Sequence, residues 1–185
     1  MKNKYSQPKI TKKKLRLNFM SRNNRFYDSY DLLLNNSGVL LAQSGCGGCF
    51  LQDTLIATPG KNRKINHFQP GDTVLSYNFK KHNLTKNKVV EVLKHQSNDG
   101  YYYLINKKIK VTGNHPMFTN NQTWKRVDQL TLSDTLLNEN GEPEEIKQIE
   151  KRKGGLVIYN LHLQNQEHNY FANGVLAHNA AIDSK

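Results

Sequence analysis

His168-Asn169-Tyr170-Phe171-Ala172-Asn173-Gly174-Val175-Leu176-Ala177-His178-Asn179 sets two short β-prone runs on either side of an Asn-Gly pair. A two-residue type I′ turn needs φ > 0 at both central positions, and asparagine followed by glycine tolerates that well. The stretch therefore predicts a hairpin that folds the strand carrying His168 back against the one ending in His178-Asn179. The same punctuation recurs upstream at Pro59-Gly60, Pro70-Gly71, Asp99-Gly100, Asn140-Gly141 and Gly154-Gly155. Residues 54–58, 73–79, 88–96, 101–106, 108–112, 135–138, 144–151, 156–163 and 169–172 read as strands. From Cys49 onward the expectation is an all-β body, with small helical turns only at 63–68 and 125–130, where apolar residues lie three apart.

This body repeats itself. Ile65-Asn66-His67-Phe68-Gln69-Pro70-Gly71-Asp72-Thr73-Val74-Leu75 lies over Val127-Asp128-Gln129-Leu130-Thr131-Leu132-Ser133-Asp134-Thr135-Leu136-Leu137 at an offset of 62 residues. Further on, His115-Pro116-Met117-Phe118 and His168-Asn169-Tyr170-Phe171 share the pattern His-x-x-Phe. Two matches in the same order point to an internal duplication with a pseudo-two-fold arrangement, each half supplying one histidine. Chance similarity between short β segments is the alternative.

With 185 residues, 36% of them hydrophobic, the chain can build one core but not two domains of ordinary size. Its net charge of +12 is concentrated at one end: residues 1–25 hold nine basic residues and no acid, leaving +3 for residues 26–185. Such an arm has the composition of a solvated, flexible tail, and nucleic-acid contact is not expected of it. Its lysine content and Pro8 also suit an amphipathic, Arg-rich presequence poorly. No run approaches the roughly 18 to 20 apolar residues of a spanning helix. The best candidate, 32–42, is broken by Asn35, Asn36 and Ser37, which also spoils it as a secretory signal.

The chain has two cysteines, Cys46 and Cys49, flanking Gly47-Gly48. A zinc site would need two more ligands at matching spacing, and no second cysteine pair exists. A thioredoxin-like redox pair would need a strand-helix-strand setting that the flanking sequence does not offer. The third reading makes one cysteine a nucleophile.

Four further stretches bear on that reading. They are Cys49-Phe50-Leu51-Gln52-Asp53-Thr54-Leu55-Ile56, Gly71-Asp72-Thr73-Val74-Leu75-Ser76-Tyr77-Asn78, Thr112-Gly113-Asn114-His115-Pro116-Met117-Phe118 and Val157-Ile158-Tyr159-Asn160-Leu161. Together with 168–179, their order and spacing resemble the Hint domain. That self-processing module is shared by inteins, bacterial intein-like domains, toxin-linked pretoxin domains and Hedgehog C-terminal regions. The resemblance implies an all-β Hint fold of pseudo-two-fold duplicated β subdomains over residues 49–179. Residues 1–48 would form a basic, flexible N-terminal arm, residues 180–185 a short C-terminal flank, and the whole a monomer.

The chemistry can also be argued residue by residue. A free thiol has a pKa near about 8.5, so a modest shift makes Cys49 a nucleophile at neutral pH. Attack on the carbonyl of Gly48 would turn the Gly48–Cys49 amide into a thioester. The leaving nitrogen must be protonated, work that suits a histidine. The resemblance assigns this to a Thr-x-x-His motif, here Thr112 and His115. Gly47 and Gly48 lack a Cβ and can take the strained geometry of a scissile bond. At the other end Asn179 can attack its own carbonyl through its side-chain nitrogen, closing a succinimide and cutting the bond to Ala180. Amides are poor nucleophiles and poor leaving groups, so this step needs positioning, worth up to roughly 7–11 kcal/mol in well-oriented cases. The resemblance assigns acid and base help to His168 and His178.

Two departures bear on the outcome. Splicing members carry Cys, Ser or Thr after the terminal asparagine to accept the acyl group, where this chain has Ala180. Many also carry an acid where this chain has Asn160. Both favour uncoupled cleavage over ligation, with water or an external thiol or amine releasing residues 1–48. The chain would be its own substrate, with no cofactor, no metal and no membrane span. Cys46 either locks Cys49 in a disulfide, as a redox latch, or stands idle in a glycine-rich loop. Sterol transfer of the Hedgehog kind is not expected, because the six residues after Asn179 offer no lipid-recognising segment. Competing readings are a degenerate Hint domain acting as a binding or spacer module, splicing by a non-standard route, nucleic-acid binding through residues 1–25, and a thiol or metal module on Cys46 and Cys49. The sequence does not set the compartment.

Overall fold

In the computed structural model, residues 48–97, 100–154 and 157–180 are described. Residues 1–47, 98–99, 155–156 and 181–185 lie outside the described residues, and with them Asp99 and Gly155 of two expected turns and the first residue of the strand expected at 156–163. The early strands are β1 (Phe50–Leu51), β2 (Leu55–Ile56), β3 (Arg63–Lys64), β4 (Thr73–Asn78) and β5 (Asn83–Gln96). Next come β6 (Tyr101–Ile105), β7 (Ile109–Val111), β8 (Pro116–Phe118), β9 (Trp124–Arg126) and β10 (Thr135–Leu137). The last are β11 (Pro143–Glu145), β12 (Ile149–Lys153), β13 (Val157–Leu163), β14 (Asn169–Ala172) and β15 (Val175–His178). They form a seven-stranded sheet β12-β6-β7-β1-β13-β5-β4, a six-stranded sheet β3-β2-β14-β15-β8-β9 and the pair β10-β11. Among the described residues, no helix is long and apolar enough to cross a membrane.

The hairpin at 168–179 forms as its sequence predicts. Ala172 pairs with Val175 across a two-residue turn in which Asn173 has φ 47° and Gly174 φ 86°. Asn173 does more than turn the chain. Its Oδ1 accepts the Leu55 N–H at 2.9 Å and its Nδ2 donates to the Lys108 carbonyl at 2.8 Å, tying β2 and the β6–β7 turn to the hairpin.

Some boundaries differ from expectation. The turns expected at 63–68 and 125–130 are each a short strand running into one 3-10 turn, Ile65–His67 or Val127–Gln129. The run 144–151 splits into β11 and β12. At the break Asn106 Oδ1 accepts from the Lys147 N–H and its Nδ2 donates to the Glu145 carbonyl, both at 2.8 Å. Strand β5 starts five residues earlier than read, because it pairs first with β4 (Asn78 to Asn83) and then with β13 (Val157 to Gln96). Strands β1, β3, β8 and β9 are two or three residues long and exist through their neighbours, which residue pattern alone does not reveal.

The duplication is physical. Asp72 and Asp134 each accept a backbone N–H three residues upstream, from Gln69 at 2.9 Å and Thr131 at 2.8 Å. Each also pairs with a base nine residues upstream, Arg63 at 2.8 Å and Lys125 at 2.7 Å. The strands that follow His115 and His168, β8 and β14, lie on either side of β15. The halves share one core built on Phe50, Ile56, Val111, Met117, Leu161 and Tyr170, and full burial of such side chains stabilises by roughly 1.5–3 kcal/mol each.

Asn169 links β14 to β4 inside this core. Its Oδ1 accepts the Tyr77 N–H at 2.7 Å, and its Nδ2 donates to the carbonyls of Tyr77 (3.0 Å) and Glu167 (2.7 Å). Asn169→Ala strands these buried backbone groups and is expected to cost about 3 kcal/mol, read as a lowered urea midpoint, since each unsatisfied group costs about 1–3 kcal/mol.

Candidate active site

Strand β1 sits between β13 and β7, with Phe50 opposite Tyr159 and Val111, and so carries the preceding Gly48–Cys49 bond into the molecule. The Cys49 N–H donates to Thr112 Oγ1 at 2.8 Å, and Thr112 Oγ1 donates in turn to Asn114 Oδ1 at 2.7 Å. On the other side of the bond the Gly48 carbonyl accepts from Asn160 Nδ2 at 2.7 Å. This peptide unit is gripped at both its N–H and its C=O. Cys49 is disulfide-bonded; the chain's other cysteine, Cys46, lies outside the described residues, as does Gly47.

The turn from Thr112 to His115, closed by the His115 N–H on the Thr112 carbonyl at 3.2 Å, brings His115 under Gly48. Gly48 has φ +101°, and a Cβ built there would overlap His115 Cα and lie 2.7 Å from His115 Cβ. His115 is fully buried, its ring 4.3 Å from that of Phe50, and neither ring nitrogen has a hydrogen-bond partner of good geometry.

The second junction is built the same way. The Ala180 N–H donates to the Leu161 carbonyl at 2.9 Å, and His178 Nδ1 lies 2.8 Å from the Asn179 carbonyl oxygen. The Asn179 N–H donates to the His168 carbonyl at 2.9 Å. The rings of His168 and His178 are nearly parallel at 6.2 Å, and Trp124 meets His178 edge-on at 5.0 Å. Four asparagines are buried among the described residues: Asn87, Asn160, Asn169 and Asn179. The first three have both side-chain amide atoms hydrogen-bonded, whereas Asn179 has neither. Buried polar groups are seldom left this way, so the amide of Asn179 stands out as a reactive candidate.

Burial lowers the histidines' pKa values. His115 falls to about 3 through desolvation and the charge of His178, against the pull of the Gly48 and His178 backbone. His178 falls to about 4 through desolvation, opposed by the Asn179 backbone and reinforced by the charge of His168. His168 is lowered by burial and by His162, with Glu167 opposing. All three are neutral at pH 7. As the neutral Nδ1–H tautomer, His178 donates to the Asn179 carbonyl and polarises it.

Every site residue read from the sequence and described here lies at one of these two junctions. Thr112 and His115 meet Gly48–Cys49, while His168 and His178 meet Asn179–Ala180. Residue reading missed the contacts of Asn160, which it treated only as a missing acid, and those of Asn114, Leu161 and Tyr170. Tyr170 donates its hydroxyl to Asn160 Oδ1 at 2.7 Å. The interrupted acid position in Tyr159-Asn160-Leu161 was the one signal available.

The pretoxin HINT domain family matches residues 55–183. A bacterial intein-like domain from Clostridium thermocellum is similar with a TM-score of 0.65 at 22% identity, covering 71% of this chain and 98% of that one. A DnaB intein from Synechocystis sp. PCC 6803 is similar with a TM-score of 0.60 at 26% identity, covering 73% and 99%. Comparison with curated proteins finds no match. The fold is that of self-processing modules, and the chain belongs to the pretoxin HINT domain family.

Proposed function

We propose that the domain cuts its own chain at Gly48–Cys49 and at Asn179–Ala180 without ligating the flanks. The observation that carries this reading is that both peptide units are held at the N–H and at the C=O, by Thr112 and Asn160 in one case and by Leu161 and His178 in the other. Such positioning is what an intramolecular acyl shift and an asparagine cyclisation need.

At the first junction, reduction of the disulfide by an external thiol or phosphine frees the Cys49 thiol. Neutral His115 takes the thiol proton as Sγ attacks the Gly48 carbonyl carbon. When the tetrahedral adduct collapses, the C–N bond breaks and the same proton passes to the Cys49 nitrogen, leaving a thioester and a free amine. Water, a thiol or an amine then releases residues 1–48. The disulfide acts as a redox latch, since Sγ cannot attack while it is bonded.

At the second junction, Asn179 Nδ2 attacks its own backbone carbonyl. His178 donates to the oxygen, and His168 carries the proton that leaves Nδ2 toward the departing Ala180 nitrogen. Ala180 offers no hydroxyl or thiol to capture the thioester, so the two cuts proceed independently.

The test is the intact mass of the chain over time, with and without a phosphine reductant, beside Cys49→Ala and Asn179→Ala. Loss of residues 1–48 is expected only under reduction and only with Cys49 present. Loss of the C-terminal flank is expected only with Asn179 present. Full mass in every sample would refute self-processing, and equal N-terminal cleavage with and without reductant would refute the latch.

A further inference from the structure

Asn160 lies on β13 with no solvent exposure, 112 positions away from the carbonyl it meets. The orientation of its amide is fixed by chemistry. Two donors, the Leu161 N–H at 2.7 Å and the Tyr170 hydroxyl at 2.7 Å, converge on Oδ1, so that atom must be the acceptor. The NH₂ group is thereby aimed at the Gly48 oxygen, 2.7 Å from it in the unreacted peptide. A carboxylate in this position would point an acceptor at an acceptor.

Resting on the self-processing reading above, we infer that Asn160 is the oxyanion-stabilising catalytic residue of the first step and that Tyr170 is its positioning residue. As Sγ bonds to the Gly48 carbon, the carbonyl π pair moves onto oxygen, and the Asn160 N–H already in place stabilises that charge without reorganising. When the oxygen lone pair re-forms the carbonyl, the C–N bond breaks and the Cys49 nitrogen leaves with the proton first taken from the thiol. The environment is dry, which makes one such donor worth far more than it would be in water. The acid-to-amide change at this position thus supplies a neutral donor where a carboxyl would have to be protonated to do the same work.

The experiment compares the full chain with Asn160→Asp and Tyr170→Phe, reduced with phosphine and supplied with hydroxylamine to capture the thioester, following release of both flanks by intact mass between pH 5 and 8. The titratable groups facing the Gly48 carbonyl are Cys49, His115 and Tyr170. His115 stays neutral and the Tyr170 phenol, raised by burial, stays protonated over this range, so neither changes charge between pH 5 and 8. Asn160→Asp is expected to slow N-terminal release about 100- to 1,000-fold at pH 8, the cost of losing one oxyanion donor. The deficit relative to the parent shrinks toward pH 5 as the introduced carboxyl gains a proton. Tyr170→Phe, which reaches the carbonyl only through Asn160, is expected to slow the same step by about tenfold or less, as for one neutral hydrogen bond. Asn179-dependent release of the C-terminal flank continues in both variants and shows that they are folded. Parent-like N-terminal rates and pH profiles in both variants would overturn the inference while leaving self-processing intact. A constant deficit at all pH values would assign Asn160 a merely structural grip. No N-terminal release from the parent would overturn the self-processing reading, and the inference with it.

Discussion

Gly48→Ala is expected to reduce release of residues 1–48 at least about 100-fold while Asn179-dependent release of the C-terminal flank continues. Three backbone or near-backbone atoms of His115, its Cα, Cβ and N, stand where the new Cβ must go, and none is the end of a flexible side chain that could swing away. The positive φ adds the steric penalty that any Cβ brings in that region. The chain can relieve both by lifting Gly48 off His115, but that pulls the carbonyl away from Asn160 Nδ2, and a displacement of about 1 Å at a reacting centre costs about 100-fold. Gly60→Ala is the control, since nothing lies within 4 Å of its added Cβ. Intact-mass time courses under reduction measure the difference, and a Gly48→Ala chain that cleaved at the parent rate would show that the observed clamp is not the reactive geometry.

The second large effect is acid lability. His115 has a pKa of about 3 in the folded chain against about 6.5 when unfolded, so the folded state binds fewer protons. A histidine depressed in this way contributes its full stability above pH 6.5 and loses it as pH falls toward the folded value. From His115 alone the loss by pH 4 is roughly 3 kcal/mol. His178, lowered to about 4, acts in the same direction. Asp134 also loses stability on acidification, its ionised form favoured by Lys125 and Thr131 against the cost of burial, but only below the ordinary carboxylate range. Over the interval from pH 6.5 to 4 Glu139, its carboxyl raised by burial against the pull of Lys108, opposes the histidines, so the difference between the parent and His115→Gln isolates the His115 share. Urea midpoints should fall steeply across it, and His115→Gln should flatten the slope. A flat profile in the parent would mean that the imidazole is not held neutral by burial.

What the sequence made legible was whatever local rules decide. The Asn173-Gly174 hairpin and the repeat at 62 residues each depend on neighbours in the chain. The hairpin alone set His168 beside His178-Asn179, whereas His115, His168, His178 and Asn179 were singled out as candidates by the resemblance of the whole pattern. The fold class was legible too, through the resemblance these stretches carry. The contact between Asn160 and Gly48 was not, because it exists only once β1 enters the sheet between β7 and β13. The neutral state of His115 was hidden for a related reason: desolvation is a property of the assembled core, and residues around 115 do not announce it. The shortest strands escaped as well, since two or three residues have no readable period.

The fold also sets two asparagines six positions apart on different courses. Asn173 precedes glycine, the neighbour that crowds ring closure least, and in an unfolded chain it is the more exposed of the two to slow deamidation. In the hairpin its Oδ1 is engaged by Leu55, its Nδ2 by Lys108 and its backbone N–H by the Leu55 carbonyl, so the amide cannot turn to close a ring without breaking the turn it built. Asn179, with its amide atoms unpartnered, has no such restraint. The bonds that shape the hairpin therefore also protect it from ageing, and in a chain that loosened there, damage at Asn173 would compete with the cut proposed at Asn179.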